Sequence, residues 1–442
     1  MMIPEGFDTT VDTLGSATIV SPLTRSDRVT HARTFVQNSR RVVIELDPRR
    51  LQAIIASGRE IPSFEMAGPR HEIFFEPEKL NCALVTCGGL CPGLNDIIRS
   101  VVLELYYGYG VRKIHGIRYG LQGFIERYGH DIMELTPENV TEILEMGGSI
   151  LGSSRGPQSV AGIVDFLERR EIGLLFMIGG DGTLTAASLI QAEITSRDLS
   201  VSVVGIPKTI DNDIFMVSRS FGFDSAVSVA TEAITSAHNE SRGYPNGIGL
   251  IKLMGRHSGF IAATATLAQQ NVNFVLIPEI DFDLEGPRGF LKALEDRLQA
   301  RKHAVIVVAE GAGQKFFDTS NAQRDPSGNI KLGDIGLFLK EKILSYLQEK
   351  QMECSLKYID PSYIIRSLPA CARDHVFCSF LGRDAVHAGM AGKTNLLVGY
   401  WNEEFVHIPL TLPVGRRKQV DPGGTLWQNV IQATGQAVMV NS

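Results

Sequence analysis

Short apolar runs alternate with amphipathic stretches along most of this chain. Apolar runs at Cys82–Thr86, Leu174–Ile178 and Ser202–Ile206 are separated by segments with helical spacing, of which Asn95–Tyr106 and Thr183–Ser196 are the clearest. Continuous apolar runs are typical of strands that are buried on both faces, and their alternation with helices is typical of parallel sheets. The pattern therefore predicts a doubly wound α/β domain that begins near residue 81.

The same pattern begins again after Phe223, which indicates a second α/β domain. Asp224–Glu240 and Leu337–Gln351 have helical spacing, and a Gly-, Asp-, Asn- and Ser-rich stretch at 313–335 predicts a surface loop. Three further apolar runs are predicted strands, namely Gly249–Met254, Phe274–Pro278 and Val305–Ala309.

Residues 1–80 differ in composition from the rest of the chain. They combine Pro and paired Arg residues with short apolar runs, such as those around Arg40-Arg41 and Pro69-Arg70. We interpret them as an appended segment that forms either a small β-rich layer or an arm on a neighbouring subunit.

Composition excludes several classes of protein. The 442 residues are 44% hydrophobic and 21% charged, which is typical of a soluble globular protein. A net charge of −6 and a pI near 6.0 argue against a general nucleic-acid binder. No run of about 18 apolar residues is present, and the N-terminus lacks the pattern of a secretory signal. We therefore expect no membrane partner and a cytoplasmic location.

Six cysteines are scattered along the chain, and two of them, Cys87 and Cys91, bracket a glycine turn. A zinc site is an alternative interpretation, but no second cysteine pair and no histidine pair has matching spacing. We expect reduced cysteines that behave as small apolar residues.

A glycine turn at Gly179–Thr183 follows the second predicted strand. Glycines let backbone N–H groups approach phosphate oxygens closely, and Asp181 lies where it can hold a divalent cation beside them. A similar turn within Thr86–Asn95 follows the first strand and opens a helix, which predicts a second anion site or a tight turn. Ligands bind such sheets at the carboxyl ends of the strands, so the two turns together favour binding.

The segment Pro207–Asp213 offers two carboxylates, a hydroxyl and an ammonium after the third strand. If the chain stays extended, Thr209, Asp211 and Asp213 lie on one face. One carboxylate can then take a proton from an attacking hydroxyl, and the neighbouring carboxylate can position that base or a metal-bound water. Lys208 provides a point charge for a phosphate. The alternative is a polar turn with a helix N-cap.

Several cations follow small residues or end strands. Arg155 after Leu151–Ser154, and Arg256 after Gly255, are candidates for binding phosphate. Glu279 ends a strand where it can accept hydrogen bonds from sugar hydroxyls. Three side chains near a Pro turn suit a phosphomonoester, namely Lys357, Tyr363 and Arg366.

Together these segments resemble the phosphofructokinase family, which phosphorylates fructose 6-phosphate at O1. The resemblance runs from residue 81 to about 400 through TCGGLCPGLN, GGDGT, PKTIDND, KLMGR, IPE, AEGAG and KYIDPSYIIR. It is closest to the ATP-dependent branch of plants and trypanosomatids. It implies an α/β fold of two doubly wound domains with mostly parallel sheets, the active site in the cleft between them, and an N-terminal extension.

The resemblance also implies domain roles. We expect an N-terminal extension at 1–80, a nucleotide-binding domain at 81–222 plus about 370–420, and a sugar-phosphate-binding domain at 223–369 plus about 421–442. The implied cofactor is Mg²⁺ with ATP as the phosphoryl donor, and Asp181 is the implied magnesium ligand. The implied nucleotide site comprises Gly88, Arg155, Gly156, Gly180, Asp181, Gly182 and Thr183.

Asp211 corresponds to the general base of the family, with Thr209, Asp213, Lys208 and Arg256 as further catalytic residues. The implied sugar-phosphate site comprises Thr209, Asp211, Met254, Gly255, Arg256, Glu279, Lys357, Tyr363 and Arg366. In this family a phosphate-binding cation reaches across from a neighbouring subunit, which implies a homo-oligomer, a dimer or tetramer, with Lys357 as the candidate. The resemblance further implies an allosteric enzyme, although the effector-site residues of bacterial members are not recognisable.

Two positions bear on the phosphoryl donor. Lys208 is shared with pyrophosphate-dependent members, whereas Gly182 stands where those members carry an aspartate that would repel the α-phosphate of ATP. We expect ATP, with a pyrophosphate-dependent phosphofructokinase as the alternative. Gly247 aligns with an arginine that bacterial members use on the sugar phosphate, and Arg242 is nearby.

Two more distant interpretations remain. The NAD kinase and lipid kinase group also uses a GGDGT turn, but the other motifs do not fit it. A non-catalytic metabolite-binding protein predicts loss of Asp181 or Asp211, and both residues are present.

Overall fold

The computed structural model describes residues 7–24, 35–318, 323–324 and 330–441. These residues form two compact units. Unit 1 comprises the described residues up to Thr209, with Ile214–Gly222 and Leu368–Arg417. Unit 2 comprises Ile210–Asp213, Phe223–Ser367 and the described residues from Lys418 onward. The sequence did not predict that Ile210–Asp213 would belong to a different unit from the residues on either side.

The strands in chain order are β1 Asp12–Thr13, β2 Ile19–Val20, β3 Arg41–Val43, β4 Ser63–Met66, β5 Glu72–Ile73, β6 Asn81–Thr86, β7 Lys113–Ile117, β8 Ile132–Glu134, β9 Ile172–Gly179, β10 Ser202–Pro207, β11 Gly247–Leu253, β12 Phe274–Leu276, β13 His303–Ala309, β14 Ser355–Ile359, β15 Lys393–Thr394, β16 Leu396–Trp401 and β17 Glu404–Pro409. The helices are α1 Pro48–Ala56, α2 Leu94–Leu103, α3 Val160–Arg169, α4 Asp181–Ser196, α5 Phe223–Arg242, α6 Phe260–Gln269, α7 Phe290–Arg301, α8 Ile335–Glu349, α9 Ser362–Ser367, α10 Ala372–Met390 and α11 Thr425–Thr434.

Unit 1 is built on a nine-stranded sheet with the order β3-β4-β17-β16-β10-β9-β6-β7-β8. Its central strands β16, β10, β9, β6 and β7 are parallel, and the strands at both ends of the sheet pair antiparallel. Every residue of β6 and β10 is buried. The apolar runs therefore form central strands, as predicted, because parallel strands are covered on both faces.

The segment before residue 81 contributes strands to this sheet. β3 and β4 extend it beyond β17, and Phe64 of β4 is fully buried in the unit 1 core. The indole N–H of Trp401 donates to the carbonyl oxygen of Ile44 at 3.3 Å. Of the other described strands of this segment, β1 pairs antiparallel with β15, and β2 pairs antiparallel with β5, in two separate two-stranded sheets. Residues 1–6 and 25–34 lie outside the description.

Unit 2 is built on a four-stranded parallel sheet with the order β12-β13-β11-β14. Its core forms between the sheet and helices α7 and α8, around Phe290, Ile306 and Leu339. The predicted strands that became β11, β12 and β13 are confirmed, whereas β14 was not predicted. The predicted loop at 313–335 contains residues 319–322 and 325–329, which lie outside the described residues.

None of the described helices has the length and apolar character needed to cross a bilayer. None of the six cysteines, all of which are described, forms a disulfide. Within the described ranges, no group of three or more His, Cys, Asp or Glu side chains is arranged to hold a metal ion.

Candidate active site

The Gly179–Thr183 turn joins β9 to α4 in unit 1. Gly180 is the N-cap of α4, and Asp181 is its first residue. A Cβ atom at Gly179 would lie 2.1 Å from the hydroxyl oxygen of Thr183, so only glycine lets the helix approach the strand this closely. The N-terminus of a helix favours negative charge, so the turn suits phosphate groups.

Asp181 has a partner that the sequence did not predict. Its carboxylate lies 3.3 Å from the guanidinium of Arg417, and both side chains are about one-third exposed. Because Arg417 is 236 residues further along the chain, no local pattern could have indicated the pair.

Gly182 follows on the first turn of α4 and is exposed. Apart from its chain neighbours and the backbone of α4 itself, no atom of the described residues lies within 4 Å of the position that a Cβ atom would take. A side chain at this position would therefore enter open space without displacing any described part of the protein.

The first glycine turn lies beside Lys208 in the same unit. Gly88 has φ +83°, and a Cβ atom there would lie 3.3 Å from the Lys208 ammonium. That ammonium donates to the carbonyl oxygen of Gly89 at 2.5 Å. A Cβ atom at Gly89 would lie 3.4 Å from Nη2 of Arg155, and the next residue, Gly156, has φ +96°. The structure thus brings Gly88, Lys208 and Arg155 together.

The segment Pro207–Asp213 does not stay extended, so the condition under which its three side chains would share one face is not met. The chain turns at Ile210–Asp211, and Asn212 has φ +55°, a left-handed conformation that asparagine tolerates better than most residues. Thr209, Asp211 and Asp213 therefore do not alternate along a strand. The carbonyl oxygen of Thr209 accepts the Ser220 hydroxyl at 2.6 Å within unit 1, and Asp211 and Asp213 belong to unit 2.

Asp211 lies at the end of β11 in unit 2. Its Oδ2 accepts the backbone N–H of Arg256 at 3.3 Å, and its carbonyl oxygen accepts the Ser258 hydroxyl at 3.2 Å. Burial, together with the charges of Asp213 and Glu310, raises the pKa of Asp211 to about 7, although the Arg256 N–H and the Arg366 charge favour the ionised form. A carboxylate with this pKa can accept a proton near neutral pH.

Two arginines act on this carboxylate, Arg256 through its backbone N–H and Arg366 through the charge of its side chain. Gly255 has φ +122°, and a Cβ atom at Gly311 would lie 2.0 Å from the carbonyl oxygen of Arg256, so glycines keep this turn tight. The Arg256 guanidinium also donates to the carbonyl oxygen of Ile330. Nε of Arg366 donates to the sulfur of the fully buried Met254 at 3.3 Å.

Glu279 is held so that one of its oxygens has no partner among the described residues. Its Oε1 accepts the backbone N–H groups of Gly259 at 2.9 Å and Val420 at 2.8 Å. Its buried Oε2 accepts no hydrogen bond from the described part of the chain. Burial raises the pKa of Glu279, with the Val420 and Gly259 N–H groups opposing that change. The arrangement suits a ligand hydroxyl at Oε2.

The structure does not bring Lys357 to Arg366 within one chain. Lys357, in the middle of the edge strand β14, pairs with Gly249 of β11. Gly249 lies five residues before Met254, which corresponds to about 16 Å along β11. Its ammonium instead lies 3.9 Å from Glu240 and 5.4 Å from the ring of Tyr244. Tyr363 of α9 is 83% exposed.

Gly247 begins β11 and cannot carry a side chain. A Cβ atom there would lie 2.0 Å from the carbonyl oxygen of Ser241, next to Arg242 at the end of α5. The structure does not bring Arg242 to Arg256 or Arg366 by any contact among the described residues.

Two residues near Asp211 were absent from the predicted site. Glu310 follows β13, and its charge raises the pKa of Asp211. It belongs to the AEGAG motif, which could have indicated it. Lys418 donates its backbone N–H to the carbonyl oxygen of Asp213 at 2.8 Å. Burial lowers the pKa of Lys418 to about 7, against the charge of Asp213.

Known proteins resemble this chain over most of its length. The family model for phosphofructokinase matches residues 81–389. An ATP-dependent 6-phosphofructokinase of Borreliella burgdorferi is 51% identical over 86% of this chain and 86% of its own. One of Amycolatopsis methanolica is 46% identical over 91% of this chain and 89% of its own. The chloroplastic ATP-dependent 6-phosphofructokinase 5 of Arabidopsis thaliana is 46% identical over 84% of this chain and 68% of its own.

Solved structures share the fold at lower identity. A pyrophosphate-dependent phosphofructokinase from Marinobacter aquaeolei superimposes with a TM-score of 0.65 and 19% identity, over 82% of this chain and 92% of its own. A pyrophosphate-dependent phosphofructokinase from Nitrosospira multiformis superimposes with a TM-score of 0.66 and 16% identity, over 82% of this chain and 93% of its own. These structures share the fold, and the family match and the curated relatives show that the chain belongs to the phosphofructokinase family.

Proposed function

We propose that this protein transfers the γ-phosphate of ATP to the O1 hydroxyl of fructose 6-phosphate, giving fructose 1,6-bisphosphate and ADP. The observation that carries the proposal is the Asp211 carboxylate, whose pKa is raised to about 7 by burial and by its acidic neighbours, close to Arg256 and Arg366. A base near neutrality is suited to taking a proton from an attacking hydroxyl, and guanidinium groups bind phosphate. Family membership and the names of the relatives support the same reaction.

Asp211 is the general base of this reaction. It accepts the proton of O1 as O1 forms a bond to the γ-phosphorus. The bond from that phosphorus to the bridging oxygen breaks, and its electron pair leaves with ADP. Asp213 and Thr209 border the base along the chain, and Lys208 and Arg256 are the cations that stabilise the transferring charge.

The sugar phosphate is bound by unit 2. Arg256 and Arg366 bind its phosphate, and Met254 and Gly255 shape the turn that presents these guanidinium groups. Oε2 of Glu279, which accepts no hydrogen bond from the described residues, accepts one from a sugar hydroxyl. Tyr363, on the exposed side of α9, contributes a phenol to the same ligand.

The nucleotide is bound by unit 1. The N–H groups of Gly180–Thr183 at the start of α4, the turn at Gly88 and the cations Arg155 and Lys208 contact its phosphates. Asp181 fits Mg²⁺ because it offers a partly exposed carboxylate at this turn, the ligand type that Mg²⁺ prefers, with Arg417 as its counter-charge. When bound, Mg²⁺ would neutralise phosphate charge during transfer.

Gly182 is the residue proposed to admit ATP. The open space around its Cβ position leaves room for a nucleotide, whereas a carboxylate there would repel the α-phosphate. Pyrophosphate is the alternative donor, because Lys208 contacts the first glycine turn as a phosphate-binding cation would.

A homo-oligomer, with Lys357 serving the site of a neighbouring subunit, is part of the proposal. Within its own chain, Lys357 lies on the middle of β14 beside Glu240, away from Arg366, so a role in phosphate binding requires a second subunit. A cytoplasmic location and allosteric control stay predictions from the sequence.

The test is a coupled assay of the purified protein with fructose 6-phosphate and Mg²⁺, comparing ATP with pyrophosphate. Turnover with ATP alone is expected. Turnover with pyrophosphate alone would overturn the donor assignment, and no turnover with either donor would overturn the proposed function. NAD as the acceptor in place of the sugar phosphate is the control, and it should give no ADP.

A further inference from the structure

Lys252 is a nearly buried lysine on β11, one of the two inner strands of the unit 2 sheet. Its side chain is only 13% exposed, and its ammonium lies 2.9 Å from Oδ2 of Asp360 and 3.0 Å from Oδ2 of Asp334. Burial disfavours its charge, but the hydrogen bonds to Asp360 and Asp334 outweigh burial and raise the pKa of Lys252. The lysine is therefore a fixed cation between two carboxylates.

Each of these carboxylates begins a helix. Oδ1 of Asp334 accepts the backbone N–H of Leu337 at 3.1 Å and so caps α8. Oδ1 of Asp360 accepts the backbone N–H of Ser362 at 3.1 Å and its hydroxyl at 2.6 Å, at the start of α9. Lys252 thus joins β11 to the first turns of two helices.

Helix α9 packs against α5 but has few other side-chain contacts. It is six residues long, and Ile365 is its only buried residue. Tyr363 and Ile364 are 83% and 61% exposed. A second side-chain contact, at the end of β11, runs from Arg366 to Met254, two residues beyond Lys252. The ion pair with Asp360 therefore fixes one end of α9, and the contact with Met254 fixes the other.

We propose that Lys252 is a positioning residue of the sugar-phosphate site, acting through Asp360 and α9 to hold Arg366 toward the substrate phosphate. This inference rests on the proposed function, in which Arg366 binds that phosphate. A hydrogen bond to a charged group is stronger than one between neutral groups, so an Arg366 that is no longer held in place should weaken binding about tenfold or more.

The test compares variants that each remove one partner. Lys252→Met and Asp360→Asn should raise the KM for fructose 6-phosphate about tenfold, with kcat and the KM for ATP within about threefold of wild type. The amide oxygen introduced by Asp360→Asn can still accept from Ser362, so this substitution removes the ion pair rather than the cap. Asp334→Asn breaks the other arm of the same lysine and should leave the KM unchanged while it lowers the thermal midpoint.

Lys315→Met is the matched control. Lys315 also joins two carboxylates of unit 2, Asp281 at 3.0 Å and Asp283 at 3.5 Å, and neither of them lies on α9 or caps it. Its variant should keep the wild-type KM. Equal KM for wild type and a folded Lys252→Met, or equal rises for Asp334→Asn and Asp360→Asn, would overturn the inference.

Calorimetric binding of fructose 6-phosphate without a donor separates this inference from the proposed function. Wild-type protein that neither binds nor phosphorylates the sugar would contradict the proposed function. Wild-type protein that binds it, with Lys252→Met binding equally well, would contradict only the role of Lys252.

Discussion

At the scale of single residues, the protonation of Asp211 should control the rate. Burial and the nearby Asp213 and Glu310 raise its pKa to about 7, so the base is protonated and inactive below that pH. We expect kcat/KM for fructose 6-phosphate to fall about tenfold per unit as the pH drops below about 7. Measurement of kcat/KM from acid to mildly alkaline pH gives this fall, the acid limb of the pH profile.

Asp211→Ser is the variant that tests the assignment of this limb. It should lower kcat by at least ~10²-fold, the usual lower contribution of a general base, and should abolish the acid limb. Sugar-phosphate affinity should change little. Unchanged turnover, or an acid limb that persists in the variant, would remove Asp211 from the mechanism.

Gly182 allows the donor to be tested with little disturbance of the fold. Because no described atom outside the chain neighbours and the α4 backbone lies within 4 Å of its Cβ position, neither Ala nor Asp should strain α4. Gly182→Asp should raise the KM for ATP by about tenfold or more through repulsion of the α-phosphate. Gly182→Ala is the uncharged control and should keep ATP activity. Full ATP activity in a folded Gly182→Asp would contradict the donor argument.

At the scale of elements, apolar runs predicted β6, β9 and β10 of the unit 1 sheet and β11, β12 and β13 of the unit 2 sheet, but not the central strands β7 and β16. Their pattern reflects burial on both faces, which a sequence records directly. The pattern did not predict β14, because this strand is half-buried and contains polar residues such as Lys357. Nor did the pattern indicate that Pro207–Asp213 turns, because the turn depends on the backbone angle of Asn212 and not on a repeat of apolar and polar residues.

A buried cluster of charged side chains around Glu65 holds strand β4 to its neighbours, and a substitution of Glu65 tests how much the cluster contributes to stability. Glu65 lies 2.8 Å from Arg70, 2.8 Å from Lys393 and 3.2 Å from Nδ1 of His407. Burial alone would raise the pKa of Glu65, but the hydrogen bond from His407 and the charges around it lower the pKa. Burial likewise lowers the pKa of His407 to about 4, so that ring is neutral at pH 7.

Glu65→Gln should lower the free energy of unfolding by about 3–5 kcal/mol, because it leaves two buried cations without their anion. Denaturant unfolding at pH 7 measures the change. Glu76→Gln, which breaks the exposed pair with Lys79, is the control and should have little effect. A Glu65→Gln variant as stable as the control would show that packing alone holds β4.

At the scale of the whole molecule, the sequence predicted motifs better than the contacts that complete them. The glycine turns, Asp181, Asp211 and Arg256 follow strands in local patterns that indicate phosphate chemistry. Arg417, Lys418 and Lys252 were missed because each acts through a partner far along the chain, as Arg417 does with Asp181. The assignment of Ile210–Asp213 to unit 2 was missed for the same reason.

The segment before residue 81 should be required for the stability of unit 1. Its strands β3 and β4 extend the sheet beyond β17. Loss of the fully buried Phe64 side chain alone should lower the free energy of unfolding by about 3–5 kcal/mol. Deletion of residues 1–80 would leave β17 as an uncovered edge with unpaired backbone groups, which promotes association between chains. We expect the truncated chain to aggregate and to unfold at a markedly lower temperature, as measured by size-exclusion chromatography and thermal unfolding. Deletion of residues 1–11 keeps every described strand and serves as the control. A monodisperse, equally stable chain without residues 1–80 would mean that β17 and the remaining core suffice for the unit 1 sheet.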